Sequence, residues 1–205
     1  MTGRTRLILL LLCHASTNAQ RTAAFPLDEP IDATGHASAT ALGGAFSSMR
    51  AIVCSPARRA LETAAAAGLT ARPEPALRDC DYGRWAGGKL TDIARGEPAA
   101  VEQWLTDPEA APHGGESIAA LLRRVAEWMD DDALVGPALA ITHASVIRAA
   151  VVHAIGASAN AFWRIDASPL SAVELRRNER RWSFHASRPP PRTFEERELA
   201  SSRCG

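Results

Sequence analysis

Three times along the chain a short apolar run ends on a polar residue and a helix-like stretch follows. The first run is Leu7-Ile8-Leu9-Leu10-Leu11-Leu12, with Cys13-His14 directly off its end. The second is Ala51-Ile52-Val53-Cys54, followed by Ser55-Pro56, and the third is Ala138-Leu139-Ala140-Ile141-Thr142, followed by His143. Continuous apolar runs of this length are how parallel strands covered on both faces read. Strands alternating with helices predict an α/β sandwich around a mainly parallel central sheet.

The first run has a competing reading. Arg4 and Arg6 precede it and Ser16, Thr17 and Ala19 follow it, which imitates a secretory signal. The run sits at the bottom of the ~7–15 residues of a signal core and far below the ~18 of a membrane span. Leu12 also stands where a lipoprotein cysteine requires a small residue. As a strand, the run would deliver His14 to the carboxyl end of the sheet, where open α/β folds bind ligands. The strand reading is preferred, and with it a cytoplasmic location.

Around these strands the pattern predicts a helix opened by Ser55 as cap and Pro56 as first residue, running to about Ala67 and stopping at Gly68. A second runs from Ser145 to Ile155 and closes on Gly156. Further helices are expected at about 34–48 and 115–133, the latter carrying Ile118, Leu121, Leu122, Val125 and Trp128 at helical spacing. Residues 172–176 and 181–186 alternate about Asn178-Glu179 and predict a hairpin.

The 205 residues suit one domain, expected over 1–187, with a Pro-rich tail over 188–205. The 23 basic and 23 acidic residues cancel, which argues against a dedicated nucleic-acid binder. Cysteines 13, 54, 80 and 204 form no C-x-x-C pair, so neither a zinc knuckle nor a disulfide framework is expected.

Parallel neighbouring strands would bring His14 and His143 together at one edge of the sheet. Arg59 lies in the helix after another strand end. An arginine matches phosphate oxygens with a planar fork of donors, and an imidazole near neutral pH can act as a nucleophile. Asp79, in Leu77-Arg78-Asp79-Cys80-Asp81-Tyr82-Gly83-Arg84-Trp85-Ala86-Gly87, offers a carboxylic acid that could protonate a leaving alcohol. Asp81 and Glu116 remain competitors for that role, and Arg148 reads as an ion-pair partner.

These segments resemble the motifs of the histidine phosphatase (phosphoglycerate-mutase-like) superfamily. Leu10 to Thr17 is similar to L-x-x-x-R-H-G-E-T, Ser55 to Thr63 to S-P-x-x-R-A-x-x-T, and Leu77 to Gly87 to L-x-E-x-x-x-G-x-W-x-G. Gly114 to Ser117 reads Gly-Gly-Glu-Ser, and Thr142 to Arg148 is similar to S-H-G-x-x-I-R. The resemblance implies a three-layer α/β/α fold and a metal-independent, cofactor-free phosphatase. It makes His14 the nucleophile, His143 and Arg59 the phosphoryl ligands, and Asp79 the general acid. The short spacing from Gly87 to Gly114 leaves no room for the shielding insertion of the mutases, so hydrolysis of a small phosphorylated metabolite is expected. The stretch Asp81-Tyr82-Gly83 with Trp85 is most similar to phosphatases of the α-ribazole type.

One departure stands out. Cys13 occupies the place of the motif's arginine, and Arg21 or Arg58 is expected to make up the lost charge. The alternative reading is a pseudophosphatase that binds a phospho-ligand or partner without turnover. No membrane partner is expected, and the oligomeric state is left open, a homodimer included.

Overall fold

The computed structural model describes residues 7–186, so the expected tail lies outside the described residues. In chain order the elements are β1 (Leu7–Cys13), α1 (Asn18–Arg21), α2 (Ala33–Thr40), β2 (Ala51–Cys54), α3 (Arg58–Ala66), β3 (Arg72–Pro73), α4 (Leu90–Gly96), α5 (Pro98–Thr106), α6 (Ile118–Asp130), β4 (Ala138–Thr142), α7 (Ala144–Ile155), β5 (Ala172–Asn178) and β6 (Arg181–His185). The strands form one sheet in the order β3-β2-β4-β1-β5-β6. Strands β3, β2, β4 and β1 run parallel, and β5 and β6 extend the sheet antiparallel on the β1 side.

The leucine run is therefore an inner strand. Its side chains alternate between two cores, as the period of two along a strand requires. Leu9, Leu11 and Cys13 pack with Leu121, Val125 and Met129 of α6 and Val146 and Ala150 of α7. Leu12 faces the other way, against Phe46 and against Ala60 and Ala64 of α3. Strand β4 divides the same way, Ala138 and Ala140 toward α6 and α7, Leu139 and Ile141 toward α3. Helices thus cover both faces, giving three layers. Leu11 is fully buried, and truncating such a leucine to alanine costs about 2–5 kcal/mol.

Most expected elements are present, with shifted boundaries. Helix α3 begins at Arg58 with Ala57 as its cap, two residues later than Ser55-Pro56 suggested. Ser55 is instead drawn into the site, where its Oγ accepts from the Ala57 amide and meets His143. Helix α2 stops at Thr40, and turns continue to Ser48. Helix α6 starts at Ile118, capped by Ser117, whose Oγ accepts from Ala120 N. Gly156 closes α7 at φ +64°, a conformation that costs glycine nothing. The hairpin forms as expected, with β5 extended to Asn178. Helices α4 and α5 were not anticipated. Val101 and Trp104 of α5, three apart on one face, pack on Phe25 and Trp85. Cys13, Cys54 and Cys80 are free and buried.

Candidate active site

The register of β1 on β4 sets Cys13 opposite Thr142, so the next residues, His14 and His143, leave the sheet side by side. His14 N donates to Thr142 O at 2.8 Å, and the two rings lie edge to face with centroids 5.1 Å apart. Both imidazoles are buried.

Each ring is held in one tautomer. His14 Nδ1 lies 2.8 Å from the Ala15 carbonyl oxygen. Only a protonated nitrogen bonds a carbonyl, so Nε2 carries the lone pair. Thr63 fixes the turn beneath it: Ala15 N donates to Thr63 Oγ1 at 2.9 Å, and that hydroxyl donates to Arg59 O at 2.6 Å. His143 Nδ1 accepts from Arg59 Nε at 3.2 Å, so in the neutral ring the proton sits on Nε2, which donates to Ser55 Oγ at 2.7 Å.

Arg59 is the hub. Its buried guanidinium donates through Nη1 to Leu27 O and through Nη2 to Asp79 Oδ2, each at 2.7 Å. Asp79 Oδ2 lies 3.4 Å from His143 Nδ1, and Asp79 Oδ1 accepts from Ser145 Oγ in the first turn of α7. The loop carrying Asp79 is tied down from three sides. Thr142 Oγ1 donates to Leu77 O at 2.9 Å. Arg124 donates to Ala76 O and Arg78 O and grips both oxygens of Glu116. Gly83 and Gly115 let the 79–87 and 113–116 loops touch backbone to backbone. A Cβ on Gly83 would collide with the His113 carbonyl, and one on Gly115 with that of Asp81.

Burial lowers the pKa of His14, against the opposing pull of its Ala15 hydrogen bond. Burial, with Arg59 adding to it, takes His143 down to about 3. Both rings are therefore neutral near pH 7. Burial works against ionisation of Asp79, but the Arg59 guanidinium and the Ser145 hydroxyl outweigh it and hold the carboxyl below its ordinary range. The Cys13 thiol is pushed up to about 12 by burial and the nearby Asp79 charge, so it adds no negative charge to the site.

His14, Arg59, Asp79 and Ser145 border a cavity of about 140 Å³ whose wall also includes Glu29, Gln20, Tyr82 and Arg148; His143 and Cys13 are not part of that wall. The structure brings together His14, Arg59, Asp79 and His143. It does not bring in Arg21 or Arg58. Arg21 is 64% exposed and pairs with Asp32 at 3.8 Å, and Arg58 is 57% exposed and pairs with Glu62 at 2.8 Å. Asp81 spends Oδ1 on Gly83 N, and Glu116 is committed to Arg124, which leaves both outside the cavity wall. Arg148 departs from its expected role. Its Nε donates to Ile165 O at 2.8 Å, its guanidinium lies over Phe162 and Trp163, and among the described residues it makes no ion pair.

Sequence reasoning missed Glu29, Ser145 and the placement of Arg148. Ser145 had a signal, since it sits in the first turn of a helix that starts at a predicted site histidine. Glu29 had none, lying in an irregular loop beside an equally acidic Asp28. Among the described residues no group of three or more His, Cys, Asp or Glu is arranged to hold a metal ion.

Residues 9–188 match the histidine phosphatase superfamily, branch 1. Over 135 residues the chain is 31% identical to a bifunctional protein of Mycobacterium tuberculosis, covering 61% of this chain and 37% of that one. Over 113 residues it is 33% identical to the glucosyl-3-phosphoglycerate phosphatase of Mycobacterium tuberculosis, covering 48% of this chain and 51% of that one. The chain thus spans between about a third and a half of the length of these relatives. The fold matches a crystal structure of a putative α-ribazole-5′-P phosphatase from Escherichia coli with a TM-score of 0.78 at 21% identity, over 89% of this chain and 96% of that one. With two adjacent strand-end histidines, a buried arginine and a carboxylate in the order the family's motifs require, the chain belongs to the histidine phosphatase superfamily.

Proposed function

We propose that the protein hydrolyses phosphomonoesters of small metabolites through a phosphohistidine formed on His14. The observation that carries this is the 2.8 Å contact of His14 Nδ1 with the Ala15 carbonyl. It leaves Nε2 unprotonated on a residue that lines a cavity together with Arg59 and Asp79.

The incoming phosphoryl group competes with Asp79 for the Arg59 guanidinium. Losing that cation and gaining a neighbouring anion both raise the Asp79 pKa, so the carboxyl takes up the proton that it later donates. His14 Nε2 attacks phosphorus, the bond to the leaving oxygen breaks, and Asp79 passes its proton to that oxygen. His143 keeps its Nδ1 toward Arg59 Nε at 3.2 Å and so positions the guanidinium for the phosphoryl oxygens. A water then attacks the phosphohistidine, Asp79 takes the water's proton, and phosphate leaves with His14 restored. The Arg59 cation and the preorganised donors act where charge develops.

Hydrolysis is favoured over transfer because residues 88–113 are spent on α4, α5 and their packing against Phe25 and Trp85 rather than on a cover for the site. The names of the relatives above, both phosphatases where an activity is printed, agree with this reading. A cytoplasmic location follows from the same reading, because removing the leucine run would remove the strand that presents His14. Among the described residues no helix is long and apolar enough to cross a membrane.

Cys13 favours a second reading, a binding protein without turnover, because the thiol offers no charge to the phosphoryl group. Purified protein given p-nitrophenyl phosphate without added metal separates the two. Turnover that vanishes in His14→Ala, with an acid-labile, alkali-stable phosphoenzyme on wild type, is expected. No turnover in wild type and its appearance in Cys13→Arg would establish the second reading instead.

A further inference from the structure

We propose that Arg148 is the second cation that holds the phosphoryl group, taking beside Arg59 the part that the family motif gives to an arginine at position 13. This rests on the phosphatase reading of the cavity and adds a ligand to it. Arg148 borders the same cavity as His14 and Arg59. It stands in the second turn of α7, half-buried. Its head group is fixed from behind. Nε donates to Ile165 O at 2.8 Å, and the guanidinium carbon lies 5.7 Å from the Phe162 ring centre and 6.0 Å from that of Trp163. The outer edge of the fork, Nη1 and Nη2, donates to nothing among the described residues, and neither nitrogen is sealed from solvent.

Donor supply favours Arg148 as a phosphoryl ligand. All three Arg59 nitrogens already donate, to His143, Leu27 O and Asp79, so a phosphoryl group has to share that guanidinium with Asp79. Arg148 keeps a whole two-nitrogen edge free, the geometry that fits a pair of phosphate oxygens. The anion that every phosphomonoester brings to this cavity is its phosphoryl group. The place of Arg148 also answers the loss at position 13. Cys13 Sγ lies 4.0 Å from Ala167 O, on the segment whose Ile165 carbonyl fixes Arg148. Burial and the Asp79 charge raise the Cys13 pKa, and of the two cations that oppose them Arg148 pulls harder than Arg59. Its charge therefore acts beside the strand end that presents His14. Arg21 and Arg58, turned to solvent on Asp32 and Glu62, do not.

Calorimetry on wild type, Arg148→Met and Arg148→Lys tests this, with inorganic phosphate and with 2-phosphoglycolate, which adds a carboxylate. Methionine keeps an apolar stem beside the two rings and removes the charge. Arg148→Met is expected to bind both ligands roughly 10- to 100-fold more weakly than wild type, with a flatter salt dependence. Arg148→Lys, which keeps the charge without the fork, is expected to fall between the two and to retain the wild-type salt dependence. A phosphate-induced rise in thermal midpoint, kept in Arg148→Lys and lost in Arg148→Met, reads the same effect on proteins that the melt shows to be folded. Phosphate affinity unchanged in Arg148→Met, a loss confined to 2-phosphoglycolate, or equal losses in both variants with unchanged salt dependence overturns the proposal. So does an absence of phosphate binding to the wild type. Failure of the phosphatase reading shows separately, as absence of p-nitrophenyl phosphate turnover by a wild type that still binds phosphate.

Discussion

Mild acid should strip stability from this fold through one buried ring. His143 is taken from 6.5 to about 3 by burial, so in the folded state it stays neutral where an unfolded chain would protonate it. A depressed histidine pKa contributes stability that is complete above the unfolded value and is lost as pH falls toward the folded one. The window is therefore pH 6.5 down to about 3. The proton linkage over these two values gives a loss of about 1 kcal/mol by pH 6 and about 3 kcal/mol by pH 4, so roughly 2 kcal/mol disappears between them. The cause is local: Nδ1 is held as an acceptor by Arg59 Nε, and protonating it would set an imidazolium against that guanidinium. Urea unfolding at half-unit steps from pH 6 to 4 measures it, comparing wild type with His143→Gln, which cannot titrate. His14 and His113, also lowered by burial, titrate in both proteins and cancel. Asp79 loses its contribution only below its ordinary range, outside the window. The wild-type curve should fall roughly 2 kcal/mol further than the variant's. Parallel curves would refute the assignment of a neutral, buried His143.

The other predictions concern the charges around that ring. Arg59→Ala should leave Asp79 buried without its 2.7 Å partner. The cost is about 3–5 kcal/mol, read as a thermal midpoint roughly 10 °C lower, together with loss of turnover; a midpoint within two or three degrees of wild type would contradict the hub role. Asp79→Asn should cut kcat by ~10²–10⁴ on alkyl phosphates and far less on p-nitrophenyl phosphate, whose leaving group needs no proton. An equal loss on both substrates would remove Asp79 from the acid's role. Arg21→Ala and Arg58→Ala should each leave kcat/KM within about twofold of wild type, since such exposed pairs contribute ~0–1 kcal/mol; a tenfold loss in either would show that these arginines reach the substrate after all.

The strands were legible because each is a short apolar run closed by a chemically conspicuous residue, and two of those residues are histidines that a parallel register must place together. Arg59 was legible from the Ser-Pro motif, although its helix starts two residues later than the capping preference of Ser55 suggested, with the Ser55 hydroxyl shared between the Ala57 amide and His143. What the sequence could not show is how far a side chain travels. Arg58 and Arg59 are neighbours with identical chemistry, yet the helical turn sends one to solvent and the other into the core. Arg148 sits five residues beyond a predicted site histidine, and only the fold reveals that Phe162, Trp163 and the Ile165 carbonyl hold it at the cavity wall. Helices α4 and α5 were hidden for a related reason: their apolar face is formed by a few residues that find partners only in Phe25 and Trp85, distant in sequence.

Cys13 bears on how the cavity handles charge. Its wall carries two arginines, Arg59 and Arg148, against two carboxylates, Asp79 and Glu29, with a neutral His14 beside them. The Cys13 thiol, pushed up to about 12, adds nothing. The wall therefore balances near zero, where an arginine at position 13 would have left it one unit positive. On the phosphatase reading a dianionic phosphoryl group cannot be held by static charge alone and must enter with a proton. Asp79 is the group placed to receive it, since the ligand takes the guanidinium that kept it ionised. The substitution at 13 thus makes phosphoryl binding depend on the same proton that Asp79 later delivers to the leaving oxygen, which ties affinity and turnover to one titration.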